Sequence, residues 1–356
     1  MIYILDYKNS HLDKNTLRTK ISQISNYDIE DHIGYSEDSY VYKCNKKDKD
    51  NKKYILKIIP EIEYTNKDNI IIDEKYIKEN NNIEFNIIKN NKNENLLKLL
   101  DYFYIIIDFT DNKYGCFCII TDICDHDLSK LDLTKYDYNI KKELCLELCN
   151  GLEELHNRGY YHGDLKLFNI GIKYRNNIPH IIILDFGVSN KITNTQNIIN
   201  TFPFTTPISC FNHLKMNFLN INKNWLDKNV DYLESLILKK YRTKYFYINN
   251  KRLFIDERIN NEIFILGLLF IYILSDGYHF YSREKYNGKF TLSYLENIIK
   301  YSEDNENYLF SFIFDKKDNS ISNKLEIKSY PWFILLKKMF DYDIKLVDVI
   351  KNIRGI

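Results

Sequence analysis

The sequence predicts an α+β protein: a small antiparallel β-sheet lobe carrying one helix, followed by a larger lobe that is mainly helical. Short β-rich runs broken by polar Asn/Lys/Asp loops fill residues 1 to about 125, and apolar residues at helical spacing dominate from Tyr138 onward. A third observation sets the scale. At 356 residues, 44% hydrophobic and 28% charged, the chain suffices for one large domain or two lobes around a real core.

In the first half, YDIEDHIG, SYVYKCN, KYILKIIP, LLKLLDYFYIIID and GCFCIITDI read as strands of an antiparallel sheet, rich in Ile, Tyr, Val and Phe. Between the third and fourth, the stretch from Asp73 to Asn90 changes to helix-like spacing, with Ile77, Ile83, Phe85, Ile87 and Ile88 apolar. From Tyr138, residues Ile140, Leu144, Leu146, Leu148, Leu152 and Leu155 keep one helix face apolar, and Arg158 with Gly159 supplies a basic last turn and a stop. YYHGDLKLFNIGI and HIIILDFGVS then read as two short strands joined by a polar turn from Tyr174 to Pro179. The apolar run from Ile263 to Leu274 has 12 residues. It falls short of the roughly 20 that a membrane helix needs and reads as a core helix. Residues 212–261 mix helix-like and strand-like pieces and resolve into neither.

Composition excludes several classes. Lys+Arg 50 against Asp+Glu 49 leaves a net charge of +1, so no bulk field draws the protein to nucleic acid or anionic lipid. Direct nucleic-acid binding and membrane association are not expected. The start, MIYILDYKNSH, carries neither a signal nor a transit pattern. Cys44, Cys116, Cys118, Cys124, Cys145, Cys149 and Cys210 are odd in number and lack paired CxxC spacing; they read as buried reduced thiols in an intracellular, cytoplasmic compartment. Glycine (11) and proline (5) are few and alanine is absent. A core has no physical reason to avoid alanine, the best helix former. A nucleotide bias explains its absence, since every alanine codon begins GC, and fits the AT-rich genome of a parasite or a large DNA virus. Each remaining glycine then marks a place where the backbone requires one.

The densest chemistry lies in HGDLKLFN, residues 162–169, followed 16 residues after Asn169 by DFG at 185–187. An Asp-x-Lys-x-x-Asn run on a loop gathers a carboxylate, an ammonium and an amide, and the next strand brings a second carboxylate. Phosphoryl transfer needs these types: a base for the attacking hydroxyl, a cation on the transferring phosphate, and oxygen ligands for Mg²⁺.

These residues resemble the catalytic loop and magnesium motif of the protein kinase superfamily. The resemblance implies a bilobal kinase-like fold: 1–26 an N-terminal extension, 27–121 the small lobe, 122–126 the hinge, and 127–356 the large lobe with an insertion at about 213–261. It implies Asp164 as catalytic base, Lys166 on the γ-phosphate, and Asn169 and Asp185 as magnesium ligands. Lys57 in KKYILKII takes the place of the lysine on the α- and β-phosphates. Glu84 takes that of its helix partner, with Glu79 and Glu74 as alternatives on the same helix. IGYSEDSYVYK is similar to the phosphate-covering loop, with Ile33 leading in, Gly34 at the first glycine, Ser36 and Ser39 at the second and third, and Val41 at the valine on adenine. CFCIITDICDHDL resembles the strand and hinge that follow, which puts Thr121 at the gatekeeper and Asp122 to Cys124 at the backbone that bonds adenine. Thr206, before Pro207, matches the activation-segment threonine that bridges the catalytic Asp and Lys, with Thr205 one register away.

The sequence also departs from the pattern. Ala-Pro-Glu is absent, with Phe211, Asn212 and His213 in its place, and its partner arginine is matched only by Lys345. Glu262 stands for the usual Asp of the central helix, with Gly267 at that helix's glycine. Gly163 replaces the arginine before the catalytic Asp, as in the vaccinia-related and casein-kinase-like branch, so no guanidinium there can capture a phosphorylated activation loop. The resemblance implies a serine/threonine protein kinase using ATP and Mg²⁺ on a protein substrate. The alternatives are a small-molecule or atypical kinase with the same HGDL and DFG stretches, and an ATP-binding pseudokinase scaffold.

Overall fold

The computed structural model describes residues 2–6, 14–36, 39–47, 52–65, 82–108, 112–193, 204–216, 223–241, 245–248, 250–254, 258–282, 292–314 and 330–356. Contacts divide the chain into two units, Met1–Lys92 with Leu96–Cys124, and Asn93–Asn95 with Asp125–Ile356.

In the first unit, β1 (Ile2–Asp6), β2 (Tyr27–Ser36), β3 (Ser39–Lys46), β4 (Lys53–Thr65), β5 (Leu99–Asp108) and β6 (Asn112–Asp122) form one six-stranded sheet in the order β1-β5-β6-β4-β3-β2. β2 to β6 pair antiparallel, as their alternating runs predict. β1 departs from this, running parallel to β5 with Ile2 opposite Tyr104 and Asp6 opposite Asp108. Residues 1–26, an extension by sequence, thus supply an edge strand and α1 (Lys14–Ile24), whose Ile21 is buried with Tyr27, Ile29, Tyr42, Leu56 and Ile120. The sheet is therefore not purely antiparallel, and the unit carries α2 (Ile83–Lys89) as well as α1. α2 begins where the Asn82 side chain accepts the Phe85 N–H at 2.9 Å, a standard N-cap contact. It buries Glu84, Phe85, Ile87 and Ile88. Ile77, Glu74 and Glu79 lie outside the described residues.

In the second unit, β7 (His126–Asp127) precedes α3 (Tyr138–Asn157). Asp137 caps α3 by accepting the Ile140 N–H at 3.0 Å, and Leu144, Leu148, Leu152 and Leu155 bury its inner face. β8 (Tyr160–Tyr161), β9 (Ile170–Arg175), β10 (Ile178–Ile183) and β11 (Asn190–Lys191) follow, in two small sheets. The β9–β10 turn is tighter than the sequence predicts. Only Asn176 and Asn177 form it, with φ of 51° and 63°, the left-handed pair that a two-residue hairpin favours.

The helical part comprises α4 (Pro207–Met216), α5 (Lys223–Tyr241), α6 (Arg258–Leu274), α7 (Leu292–Glu303), α8 (Asn305–Phe314), α9 (Tyr330–Phe340) and α10 (Leu346–Gly355). A hairpin of β12 (Tyr245–Ile248) and β13 (Lys251–Phe254) lies between α5 and α6 in the chain. Among the described residues, the stretch 212–261 is made up of the end of α4, α5, the β12–β13 hairpin and the start of α6. In α5 only Leu233 and Ile237 are fully buried. Beside them, Glu234 meets Lys215 of α4 at 3.5 Å and Arg252 of β13 at 3.6 Å, which joins three elements through one carboxylate. α6 is buried from Asn261 to Leu274 and packs on α3 and α9. Gly267 permits that packing, since a Cβ there would come 2.7 Å from the Phe340 ring. No helix among the described residues is long and apolar enough to cross a membrane. All seven cysteines are free thiols; Cys124 is half-buried and the other six are buried.

Candidate active site

In the first unit, Gly34 pairs with Val41 and Val41 with Lys57, so the three stand in one row across β2, β3 and β4. Ile33 beside them is 46% exposed, and Ser39 is buried. Ser36 pairs with Ser39 at the hairpin end; its side chain is outside the described residues. The Lys57 ammonium donates to both oxygens of Glu84 at 2.8 Å. With Lys57 15% and Glu84 4% exposed, water contributes little to either charge, and the first turn of α2, where a carboxylate is favoured, helps to hold Glu84 ionised. On β6, Thr121 is buried, and Asp122 meets Lys52 at 3.0 Å at the surface.

In the second unit, the catalytic-type loop is held at both ends. Gly163 adopts φ 85°, a left-handed conformation that an arginine would strain, and its N–H donates to Glu262 Oε1 at 2.7 Å. Glu262 Oε2 meets His156 Nε2 at 2.7 Å. A carboxylate longer than the expected Asp thus fastens the loop to α6 and to the end of α3. His162 Nδ1 accepts the Asp164 N–H at 3.2 Å, so Nε2 carries the proton and donates to Leu184 O at 2.9 Å. That fixes the ring between the two loops, 5.4 Å from the Phe186 ring.

Around Asp164 the donors converge. Lys166 Nζ donates to Asp164 Oδ2 at 2.6 Å, and Asn169 Nδ2 donates to Asp164 O at 2.8 Å and Oδ2 at 3.2 Å. The Leu184 N–H donates to Asn169 O at 2.9 Å, which brings Asp185 alongside. Asp185 holds φ 58°, a conformation costly for a residue with a Cβ and found where a site over-determines it. Asn169 Oδ1 makes no hydrogen bond among the described residues. Amide oxygen and carboxylate suit Mg²⁺, which takes one or two protein oxygens and fills its shell with water and phosphate. Among the described residues no cluster of three His, Cys, Asp or Glu would hold a metal unaided.

Thr206 stands at the start of α4. Fully buried, its hydroxyl accepts the Ser209 N–H at 3.1 Å, an N-cap of α4 with Pro207 at the first helical position. The neighbouring Thr205 hydroxyl donates to Thr206 O at 3.5 Å. These two contacts are local to the start of α4, and the cap uses Thr206 as an acceptor, so its own O–H remains able to donate. His156 is the site residue that sequence reasoning misses. It lies 106 positions from Glu262, beyond any local pattern.

Comparison with known proteins adds the following. The protein kinase domain family matches residues 27–210. Probable cyclin-dependent kinase 9 of Schizosaccharomyces pombe is 30% identical over 175 residues, 48% of this chain and 27% of its own length. Serine/threonine-protein kinase PRR2 of Saccharomyces cerevisiae is 29% identical over 170 residues, 44% of this chain and 22% of its own. Retinal guanylyl cyclase 2 of Rattus norvegicus is 30% identical over 122 residues, 33% of this chain and 10% of its own. The chain therefore spans between 10% and 27% of the length of these relatives.

Proposed function

We propose that this chain, which belongs to the protein kinase domain family, is a serine/threonine protein kinase that moves the γ-phosphoryl group of ATP to a protein Ser or Thr hydroxyl. The observation that carries the reading is the Asp164 carboxylate, held by Lys166 at 2.6 Å and Asn169 at 3.2 Å with Asp185 tied alongside. Asp164 orients the acceptor hydroxyl and takes its proton as the oxygen bonds to the γ-phosphorus and the bond to the β-phosphate oxygen breaks, releasing ADP. Lys166 offsets charge on the transferring group. Lys57, kept in place by Glu84, binds the α- and β-phosphates, while Ile33, Gly34, Ser36, Ser39 and Val41 cover the nucleotide. The backbone of Asp122 to Cys124 bonds the adenine. Asn169 and Asp185 would hold Mg²⁺, which neutralises phosphate charge when bound. Two relatives are kinases by name, and the name of one, serine/threonine-protein kinase PRR2, supports protein as the acceptor and Ser/Thr as the specificity.

The test is transfer from radiolabelled ATP to generic protein substrates by the wild type and by Asp164→Asn. Loss of about a hundredfold or more in kcat, with MgATP binding retained, is the expected result for a missing general base. Equal transfer by both would remove Asp164 from its role. ATP binding without transfer by the wild type would replace the enzyme reading with a scaffold.

A further inference from the structure

The proposed chemistry makes no use of the outer faces of α8 and α9. In α8, Tyr308, Leu309, Phe312 and Ile313 are buried and form the side turned to the core. Phe310 and Phe314, one helical turn apart, stand on the opposite side, so this short helix is apolar all round. In α9, Trp332, Phe333, Leu335 and Leu336 are buried, while Tyr330, Ile334 and Lys338 follow one another at i, i+4 and i+8 along the exposed side.

The two outer stripes form one patch. The Phe333 ring, only 5% exposed, lies 5.8 Å from that of Phe310, 5.9 Å from Phe314 and 6.0 Å from Tyr330, and Phe310 lies 4.8 Å from Phe314. Above that floor Tyr330 is 64% exposed, Phe310 50% and Ile334 37%. Single exposed apolar side chains are ordinary, whereas a contiguous cluster of rings marks a surface that something covers. At the other end of the patch Glu306, 59% exposed, meets Lys337 at 3.5 Å, with Lys338 exposed next to it. The helices therefore lie antiparallel, and Glu306, Phe310 and Phe314 on α8 stand beside Lys338, Ile334 and Tyr330 on α9.

That order is self-complementary. A two-fold axis in the plane of the patch, running between the helices, lays α8 of one copy on α9 of another. Glu306 then faces Lys338 of the second copy, Phe310 faces its Ile334, and Phe314 faces its Tyr330. A partner surface of one sign of charge would be repelled by Glu306 or by Lys338, while a net charge of +1 puts no long-range repulsion between two copies. Because a buried aromatic side chain covers about 150–250 Å², the exposed parts of these residues offer on the order of 350 Å² of apolar surface per copy. Two copies give about 700 Å², short of the roughly 1,200–2,000 Å² of a stable complex, and the polar rim supplies part of the difference.

We propose that the α8–α9 patch is a homodimer interface, in which a second copy of this chain packs by two-fold symmetry and exchanges reversibly at micromolar concentration. The proposal does not depend on the kinase reading.

The experiment is sedimentation equilibrium of the full chain from about 1 to 200 µM, where a monomer–dimer equilibrium with a dissociation constant of about 1–100 µM is expected. Phe310→Glu and Tyr330→Glu should each weaken it at least about tenfold, and Tyr247→Glu, at an exposed ring on β12, should leave it unchanged. Glu306→Lys and Lys338→Glu each place like charges across the two-fold, so each alone should dimerise about tenfold more weakly than the wild type. Mixed together, the two restore both opposite-charge pairs and should associate within about threefold of the wild type. A wild type monomeric over the whole range, a dimer untouched by both aromatic variants, or a charge-variant mixture no tighter than its components overturns the proposal. So does binding of a monomeric wild type, but not of Phe310→Glu, to phosphatidylcholine vesicles, which would assign the patch to a lipid surface. Every altered side chain is exposed, so matching thermal midpoints are expected, and phosphate transfer by the dilute variants should equal that of the wild type.

Discussion

Replacing Glu262 with alanine removes the carboxylate that accepts the Gly163 N–H and pairs with His156, both at 2.7 Å. At 2% exposure, water does not take its place. Each hydrogen bond to a charged group contributes about 1.5–3 kcal/mol, and the orphaned Gly163 N–H adds a desolvation penalty of about 1–3 kcal/mol. Partial relaxation into the space left behind brings the expected loss to about 3–5 kcal/mol, a large part of the stability of an ordinary domain. Glu262→Gln is milder, since its oxygen still serves Gly163 and its amide can donate to a neutral His156; the expected loss is about 1–2 kcal/mol. Urea unfolding measures both. Gly163 immediately precedes Asp164, so the same variants should lower kcat and leave the KM for ATP nearly unchanged. A Glu262→Ala protein within about 1 kcal/mol of the wild type, or a glutamine variant as damaged as the alanine one, would refute the account of how this loop is held.

Glu84→Gln removes the carboxylate charge that meets the mostly buried Lys57 ammonium at 2.8 Å, and kcat/KM for ATP should fall about 10- to 100-fold, read from initial rates at varied ATP. Lys240 is a cation pushed down to about 8 from the ordinary 10.5 by burial, against the pull of Asp341 and with Lys337 adding to the depression. The folded chain therefore binds fewer protons than the unfolded one between those values. The stability this group contributes is present above 10.5 and lost as pH falls through about 8. Lys240→Met should raise stability at pH 7 by no more than about 3 kcal/mol, because the Tyr301 and Tyr241 rings under the ammonium recover part of the cost, and it should flatten the rise toward pH 10 in thermal melts. Native-state titration with a thiol reagent should label Cys124 alone, since burial raises Cys44 to about 12 and shuts in the others; rapid labelling of two or more thiols would contradict the packing. Glu234→Gln should cost about 1–2 kcal/mol through the loss of both Lys215 and Arg252 contacts, whereas Asp231→Asn, at a side chain 88% exposed, should cost almost nothing in the same melts.

The sequence was legible where a signal is local. α3 follows from leucines at helical spacing and the stop at Gly159, and α6 from an apolar run too short for a membrane. The residues of HGDLKLFN and DFG stand close because short loops carry them and one backbone bond, Leu184 to Asn169, joins the loops. Legibility failed where partners are distant or signals are diluted. β1 has its pairing strand far along the chain, so five residues of IYILD gave no register. α5 fully buries only Leu233 and Ile237, too narrow a stripe to mark a helix against a background of Asn and Lys. The turn at Asn250, φ 60°, was hidden for the related reason that Asn is everywhere in this chain and no longer distinguishes a turn. Thr206 shows a third kind of difficulty, because its hydroxyl also caps α4 and a helix cap of that kind is not marked in this stretch of sequence.

The parallel pairing of β1 bears on how the protein should be produced. A fragment cut to the matched stretch, 27–210, would lose β1 and uncover the edge of β5 from Tyr104 to Asp108, a YIIID segment with unpaired backbone groups and three consecutive isoleucines. Such an edge is a template for intermolecular strand addition and amyloid-type stacking. Residues Ile2–Asp6 act as a built-in guard against aggregation, and expression boundaries drawn from homology alone would remove it.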